Sequence, residues 1–268
     1  MGEERLRISV VVPTRDRPEA LRRCIAALEA QSQPVEVVVV EDLEARGPAW
    51  ARNEGTRRAG GEVVCFTDDD CEPAAGWAET LAAPILAGEA EAASGPLSIG
   101  KGATAADRAW REIVHYLQVR ATAPGTASPG FAVTANLAAR RSLLERLPFD
   151  ESFRAAAGED RDWGERVARD GPSPRFIPEA VVVHQAGMSV RDFLRQQYRY
   201  GKGAAQYRNA ASGRGFGSPT FYLGLIRHGF ACGLAPGLLV CAAQAATLAG
   251  VIRESARNLA LQGISRTR

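Results

Sequence analysis

Apolar positions along this chain fall into two alternating kinds of run. Residues 8–12 (ISVVV), 35–40 (VEVVVV) and 63–67 (VVCFT) are short, continuous and rich in β-branched side chains, the pattern of strands covered on both faces in a parallel sheet. Amphipathic segments separate them. Pro18 opens EALRRCIAALEAQ, in which Leu21, Ile25 and Leu28 share one helical face; proline at a first helical position followed by that spacing predicts a helix. Residues 48–59 are rich in alanine and arginine and stop at Gly60 and Gly61, which predicts a second helix. Strand, helix and strand repeated in this way build right-handed βαβ units.

The alternation continues with helix expected over 77–87, strand over 92–99, and helix over 105–120, where Trp110, Ile113, Val114 and Leu117 recur at helical spacing. Residues 121–130 (ATAPGTASPG) read as a flexible loop, 131–138 as strand and 141–147 as helix. A helix over 160–170 ends at Gly171, and 175–177 and 180–183 are short strands. The expected class is α/β: a mostly parallel twisted sheet with helices on both faces.

Beyond His184 the pattern changes. Residues 190–208 interleave aromatic and apolar positions with arginines, and 229–251 hold no charged residue across 23 positions. That length fits a membrane span. Alanine and glycine dominate the run, however, and Pro236 and Gln244 interrupt it. A span, a buried helical hairpin and a helix lying on the bilayer surface therefore all remain open. Residues 189–268 are expected to form a helical extension, with peripheral or single-pass membrane contact through 190–251.

Composition narrows the picture further. A chain of 268 residues that is 46% hydrophobic and 24% charged is an ordinary globular protein, not a disordered, collagenous or disulfide-stapled one. A net charge of +2 gives no field that would gather nucleic acid, so no nucleic-acid partner is expected. Cys24, Cys65, Cys71, Cys232 and Cys241 form no CxxC pair and no zinc-like spacing. They read as free thiols of a reducing compartment. The first residues lack the apolar core of a signal peptide, and a cytoplasmic location is expected, at the cytoplasmic face of the membrane where the tail binds one.

In open parallel sheets, ligands sit beyond the carboxyl ends of the strands. Three polar clusters fall there: Thr14-Arg15-Asp16, Glu41-Asp42 and Asp68-Asp69-Asp70. No G-x-G-x-x-G or G-x-x-x-x-G-K-[ST] follows the first strand, which counts against a dinucleotide-binding dehydrogenase and a P-loop NTPase. Alone, an acidic triplet is a solvated turn. At the end of a buried strand, three carboxylates repel one another unless a cation compensates them. Mg²⁺ and Mn²⁺ take oxygen ligands and join one or two carboxylates to substrate phosphates.

The runs SVVVPTRDRPEALRRCIAAL, VVVVED and GPAWARNEGTRRAGGEVVCFTDDD resemble the start of a family 2 glycosyltransferase of the GT-A fold. TANLAARRSLLERLPFDESF, GEDRDWGERVARDG and FIPEAVVVHQ resemble its second half, so the likeness covers residues 8–185. It implies a catalytic domain over 1–188, with a nucleotide-binding half over 1–100 and an acceptor half over 101–188. Pro13, Thr14 and Arg15 would line the nucleotide site, and Asp42 would accept a hydrogen bond from the base, often uracil. Here Glu41-Asp42 is followed by Leu43-Glu44, where the family usually has Asp-Asp-Gly-Ser. Arg52 and Asn53 match the family's Ala-Arg-Asn segment beside the nucleotide.

Asp68 and Asp70 match the D-x-D motif, with Asp69 between them. The first would meet the ribose, and the last would meet the divalent metal, Mn²⁺ or Mg²⁺. Asp160 matches the catalytic base, with Glu159 beside it, and His184 matches a histidine some relatives use near the metal or diphosphate. His115 and His228 carry no such signal. Gln196 to Tyr200 align only loosely with the Gln-x-x-Arg-Trp of processive relatives, with Tyr200 in the place of tryptophan, which implies transfer of a single sugar.

The expected activity is inverting, metal-dependent transfer from a nucleotide-sugar, UDP-linked in the favoured case, to a hydroxyl of a saccharide or lipid-linked acceptor of the cell envelope. The acceptor must lose its proton as it attacks, which suits a carboxylate, while the metal offsets charge on the departing diphosphate. A nucleotidyltransferase making nucleotide-sugars is the rival enzyme, but it would carry a glycine-rich loop after the first strand. An inactive sugar- or lipid-binding relative is the other alternative, and intact Asp68, Asp70 and Asp160 stand against it.

Overall fold

The computed structural model describes residues 7–100, 104–122, 133–153, 157–171, 174–210 and 217–266. Those within 1–100, 118–154 and 160–185 form one compact unit, and those within 101–117, 155–159 and 186–268 form a second. The chain thus passes between the units five times.

The first unit follows the predicted alternation. Its elements are β1 (Ile8–Thr14), α1 (Pro18–Glu29), β2 (Glu36–Glu41), α2 (Pro48–Arg58), β3 (Val63–Phe66), β4 (Cys71–Pro73), α3 (Trp77–Leu86), β5 (Ala92–Ser94) and β6 (Leu97–Ile99). After α4 (Ala105–Thr122), most of which belongs to the second unit, come β7 (Leu137–Arg140), α5 (Arg141–Arg146), α6 (Glu159–Asp170), β8 (Arg175–Phe176) and β9 (Val182–His184). Six strands form a sheet in the order β2-β1-β3-β7-β5-β8. Only β7 runs against its neighbours, so the sheet is mostly parallel.

Successive strand residues point to opposite faces, and both faces are covered. Ile8, Val10, Val12, Val63 and Cys65 pack with Leu28 of α1 and with Trp77, Leu81 and Ile85 of α3. Val11, Val64 and Phe66 face the other way, onto Ala49 and Ala51 of α2, Leu143 and Leu144 of α5, and Trp163 and Val167 of α6. All five cysteines are free, and burial pushes the Cys24 and Cys65 thiols up to about 12, which leaves them inert.

Three expectations need correction. The second strand is not buried on both faces: β2 lies at the sheet edge, and five of its six residues are half-buried or exposed, Val40 alone being buried. Residues 92–99 are not one strand, because Gly95 and Pro96 divide them into β5 of the large sheet and β6 of a second, three-stranded sheet, β4-β9-β6. At Gly95 the backbone passes so close to the Ala180 carbonyl that any Cβ would overlap it. Residues 134–136 form a 3₁₀ turn, with strand pairing only from Leu137. The cause is the fully buried Asn136, whose amide donates to the Pro96 and Ala180 carbonyls at 2.9 and 2.8 Å and accepts from Trp77 Nε1 at 2.8 Å. Residues 123–132, part of the expected loop and strand, lie outside the described residues.

In the second unit, α7 (Val190–Ala210), α8 (Pro219–Ala231) and α9 (Leu234–Arg266) join the first part of α4. Helix α7 meets α9 at backbone contact: a Cβ on Gly201 would strike the Thr247 carbonyl, and one on Gly250 the Tyr198 carbonyl. The uncharged run over 229–251 is split by a turn at Cys232 and Gly233, the latter at φ +125°. Pro236 falls in the first turn of α9, where a missing N–H breaks no helical bond. Leu234–Asn258 is long and apolar enough to cross a membrane, and a third of it is buried within the protein. Leu223, Phe230, Leu234, Leu238, Leu248 and Ile252 are exposed.

Candidate active site

The ends of β1, β2 and β3 deliver their polar residues to one edge of the large sheet. Thr14, last in β1, donates through Oγ1 to Asp69 Oδ2 at 2.8 Å, and Asp42, just past β2, donates its N–H to the Thr14 carbonyl at 3.0 Å. The three carboxylates after β3 find cations separately. Arg52 of α2, nearly inaccessible, donates to Asp68 Oδ1 at 2.9 Å. Arg17 at the start of α1 spans the other two, at 3.1 Å from Asp69 Oδ1 and 2.7 Å from Asp70 Oδ2. Like charges are thereby tolerated at a strand end that would otherwise repel itself apart.

The small sheet brings in His184. It pairs with Cys71 across β4 and β9, one residue beyond Asp70, and its Nε2 lies 3.4 Å from Asp70 Oδ1. Its Nδ1 is 3.0 Å from the Gln185 carbonyl, so Nδ1 carries a proton and Nε2 faces the carboxylate. Burial works against a charged imidazole, but the hydrogen bond to Asp70 and the charges of Asp70 and Asp68 outweigh it and raise the His184 pKa. Burial likewise pushes Asp70 up, yet His184 and Arg17 hold its carboxyl down at about 2. Asp69 moves the other way. Its burial raises the pKa, opposed by the Thr14 hydroxyl and Arg17.

Asp160 stands at the start of α6, half-buried, with Oδ1 accepting the Arg161 N–H at 2.8 Å. Burial raises its pKa against that hydrogen bond and against the positive charges of Arg52 and Arg161. Arg52 thus acts on Asp68 and Asp160 together. Asp162 Oδ2 is bridged to Arg166 Nε at 2.7 Å along the same helix. Glu159 is buried and belongs with the second unit, as does the Gln196 to Tyr200 segment in α7.

Two expected site residues also hold the loops around them. Asp42 Oδ1 and Oδ2 accept the N–H groups of Arg46 and Gly47 at 2.8 and 2.7 Å, which folds the loop before α2 around Ala45, at φ +56°. Asn53 is enclosed: its amide donates to the Phe149 carbonyl and Glu151 at 2.9 Å each and accepts from the Phe149 N–H at 2.9 Å. It fixes the residue 149–151 loop against α2. Pro13 is within β1, while Arg15 is exposed beside Asp16, itself at φ +54°. Non-glycine residues in that left-handed region concentrate in loops whose shape matters.

Known proteins decide the family. A family model described as glycosyl transferase family group 2 matches residues 101–256, more than half of the chain, and one described as glycosyl transferase family 2 matches residues 43–147. The chain belongs to the family 2 glycosyltransferases. The enzyme is 25% identical over 230 residues to glycosyltransferase AglE of Haloferax volcanii, covering 74% of this chain and 73% of that protein. It is 27% identical over 222 residues to the pre-mycofactocin glycosyltransferase of Mycobacterium tuberculosis, covering 74% of this chain but 47% of that one, about half its length.

Among solved structures, the mannosyltransferase PcManGT from Pyrobaculum calidifontis, in complex with GDP-Man and Mn²⁺, aligns with a TM-score of 0.54 at 21% identity, over 98% of this chain and 83% of that one. Residues 1–349 of S. aureus TarS, in complex with UDP, align with a TM-score of 0.50 at 16% identity, over 94% and 92%. These likenesses establish the GT-A fold.

Sequence reasoning missed Arg17 and Asn136 in this glycosyltransferase. Arg17 sits three residues past Thr14, before Pro18, and its one signal was a positive charge at the strand end opposite the acidic triplet. Asn136 had none, because its partners lie 40 to 59 residues away in sequence.

Proposed function

We propose that this glycosyltransferase moves one sugar from a nucleotide-sugar to an acceptor hydroxyl with inversion at the transferred carbon, and that Asp160 is the general base. The observation that carries the reading is the electrostatic chain Asp70–Arg17–Asp69 and Asp68–Arg52–Asp160, which joins the acidic strand end to the start of α6. A carboxylate whose pKa is raised toward the working pH is a better base than an ordinary aspartate. Its N-terminal place on α6 fixes it through the Arg161 N–H.

The donor set suits a hard divalent ion, Mn²⁺ or Mg²⁺. Asp70 already demands positive charge, and His184 presents Nε2 beside the same carboxylate. Asp70, with His184, would hold the ion. When bound, such an ion offsets the charge that grows on the departing nucleoside diphosphate. Thr14, Arg15, Asp68 and Arg52 would hold the nucleotide, with Asp42 and Asn53 shaping the loops beside it.

A UDP-linked donor is favoured, in keeping with the resemblance and with UDP bound to TarS. The exposed leucines of α8 and α9 support a lipid-linked or cell-envelope acceptor met at the cytoplasmic face of a membrane.

Thermal shifts of the whole protein with UDP, GDP, dTDP and CDP, each with Mn²⁺, Mg²⁺ or EDTA, test the donor site. One nucleotide should raise Tm by roughly 5–10 °C near 100 times its Kd, and only with metal. In Asp70→Asn that metal requirement should vanish together with the shift. Equal stabilisation in EDTA would overturn the metal assignment, and retained stereochemistry in the product would overturn inversion.

A further inference from the structure

Away from the acidic strand end, the second unit gathers four metal-ligating side chains that the proposed transfer does not use. Glu112 and His115 stand three residues apart on α4. His228 and Cys232 stand four apart, on α8 and its C-cap. Both spacings put side chains on one face of a helix. The ligand atoms of Glu112, His115 and His228 all lie within 4.8 Å of one another. Cys232, exposed at the end of α8, stands beside this group, whose converging ligand atoms are those of Glu112, His115 and His228.

The local geometry is poorly explained by an ion pair. His228 Nε2 lies 2.9 Å from Glu112 Oε2, yet it is a buried nitrogen without a hydrogen-bond partner, because the alignment is wrong for one. The Glu112 carboxylate is itself buried. Arg111 Nε occupies Oε1 at 3.2 Å, which leaves Oε2 turned toward the histidines. The two imidazole rings have centroids 5.5 Å apart, and His115 reaches solvent. Two imidazoles and a carboxylate that converge with His228 Nε2 left without a hydrogen bond, beside a thiol, are what a borderline-soft cation resolves.

We infer that Glu112, His115, His228 and Cys232 form a structural zinc site that clasps α4 to α8. Four protein ligands of this kind are the usual complement of a closed tetrahedral site, with Zn–N and Zn–O near about 2.1 Å and Zn–S near about 2.3 Å. Those bonds set neighbouring ligand atoms roughly 3.4–3.8 Å apart, so side-chain rotations would close the spread of the Glu112, His115 and His228 atoms and bring in the exposed Cys232 thiol as the fourth ligand. Arg111 serves as the outer partner that orients the glutamate. Two imidazoles and a thiol with one carboxylate separate this ligand set chemically from Asp70 and His184, which hold one carboxylate and one imidazole and no sulfur. The inference is independent of the transferase mechanism.

The test uses the whole protein, stripped with a chelator and titrated with Co²⁺ as the spectroscopic probe. One equivalent should produce the visible bands of tetrahedral cobalt with a near-ultraviolet thiolate-to-metal band, and Zn²⁺ should displace it. His228→Asn and His115→Gln should each weaken Co²⁺ and Zn²⁺ binding at least about tenfold; His115 is exposed, so the second variant keeps the fold if the first does not. Cys232→Ser should lose the thiolate band alone, and Asp70→Asn should leave every band intact. Absence of tetrahedral bands in the wild type would overturn the site. So would bands that persist in both histidine variants, or bands lost in Asp70→Asn. A thiolate band that survives Cys232→Ser would overturn the four-ligand assignment.

Discussion

Arg52 couples the two acidic groups that the proposed reaction asks to do different things. Its guanidinium donates to Asp68, and its charge lowers the pKa of Asp160 against the stronger effect of burial. Because the Asp160 pKa is raised, its basic form is lost on acidification earlier than for an ordinary aspartate. The acid limb of kcat/KM should therefore sit above the usual aspartate range. Arg52→Gln removes a stabilising cation and should move that limb to still higher pH, which a pH–rate series reads directly. Asp160→Asn should lower kcat by about 10²–10⁴-fold while nucleotide binding persists. A folded carboxylate with a raised pKa loses stability as pH rises through that value. The same substitution should consequently leave Tm at neutral pH unchanged or higher, a common relation between active-site groups and fold stability.

At the scale of elements, Asn136 does what no single strand does. It ties α3, the β5–β6 corner and the approach to β9 through three buried hydrogen bonds. Asn136→Leu removes the side-chain partner of the Ala180 carbonyl and of the Trp77 indole N–H, at about 1–3 kcal/mol each, while the Pro96 carbonyl keeps the Val182 N–H at 3.2 Å. A fall in Tm of roughly 4 °C or more should follow, measured by calorimetry.

The contrast with β1 and β3 explains what the chain disclosed. Val10, Val11, Val64 and Phe66 are buried because β-branched and aromatic runs have one low-energy use, and that use is local enough to read. The acidic triplet, Thr14 and Asp160 were legible because strand ends and helix starts are fixed by the same runs. The corner at Gly95, the 3₁₀ turn at 134–136 and the bridging Arg17 depend on partners distant in sequence. The edge position of β2 depends on strand order, which no local pattern encodes. The spacings Glu112-x-x-His115 and His228-x-x-x-Cys232 were visible, but only folding brings α4 and α8 together.

Over the whole molecule, the proposed membrane contact rests on the exposed leucines of α8 and α9. Leu238→Glu combined with Leu248→Glu should reduce co-sedimentation with anionic lipid vesicles while leaving transfer to a soluble acceptor unchanged. The five passages between the two units carry a consequence for the gene. No single stop codon or fusion junction separates the units, because the second one is drawn from three stretches of the reading frame. A product ending at residue 188 keeps the front of α4 but deletes the helix whose Phe221 ring lies against Tyr116, 5.5 Å between centroids. Such a product should be recovered as aggregate. Recombination in this lineage is then expected to exchange the coding sequence whole, with the tail inherited as an internal part of the enzyme.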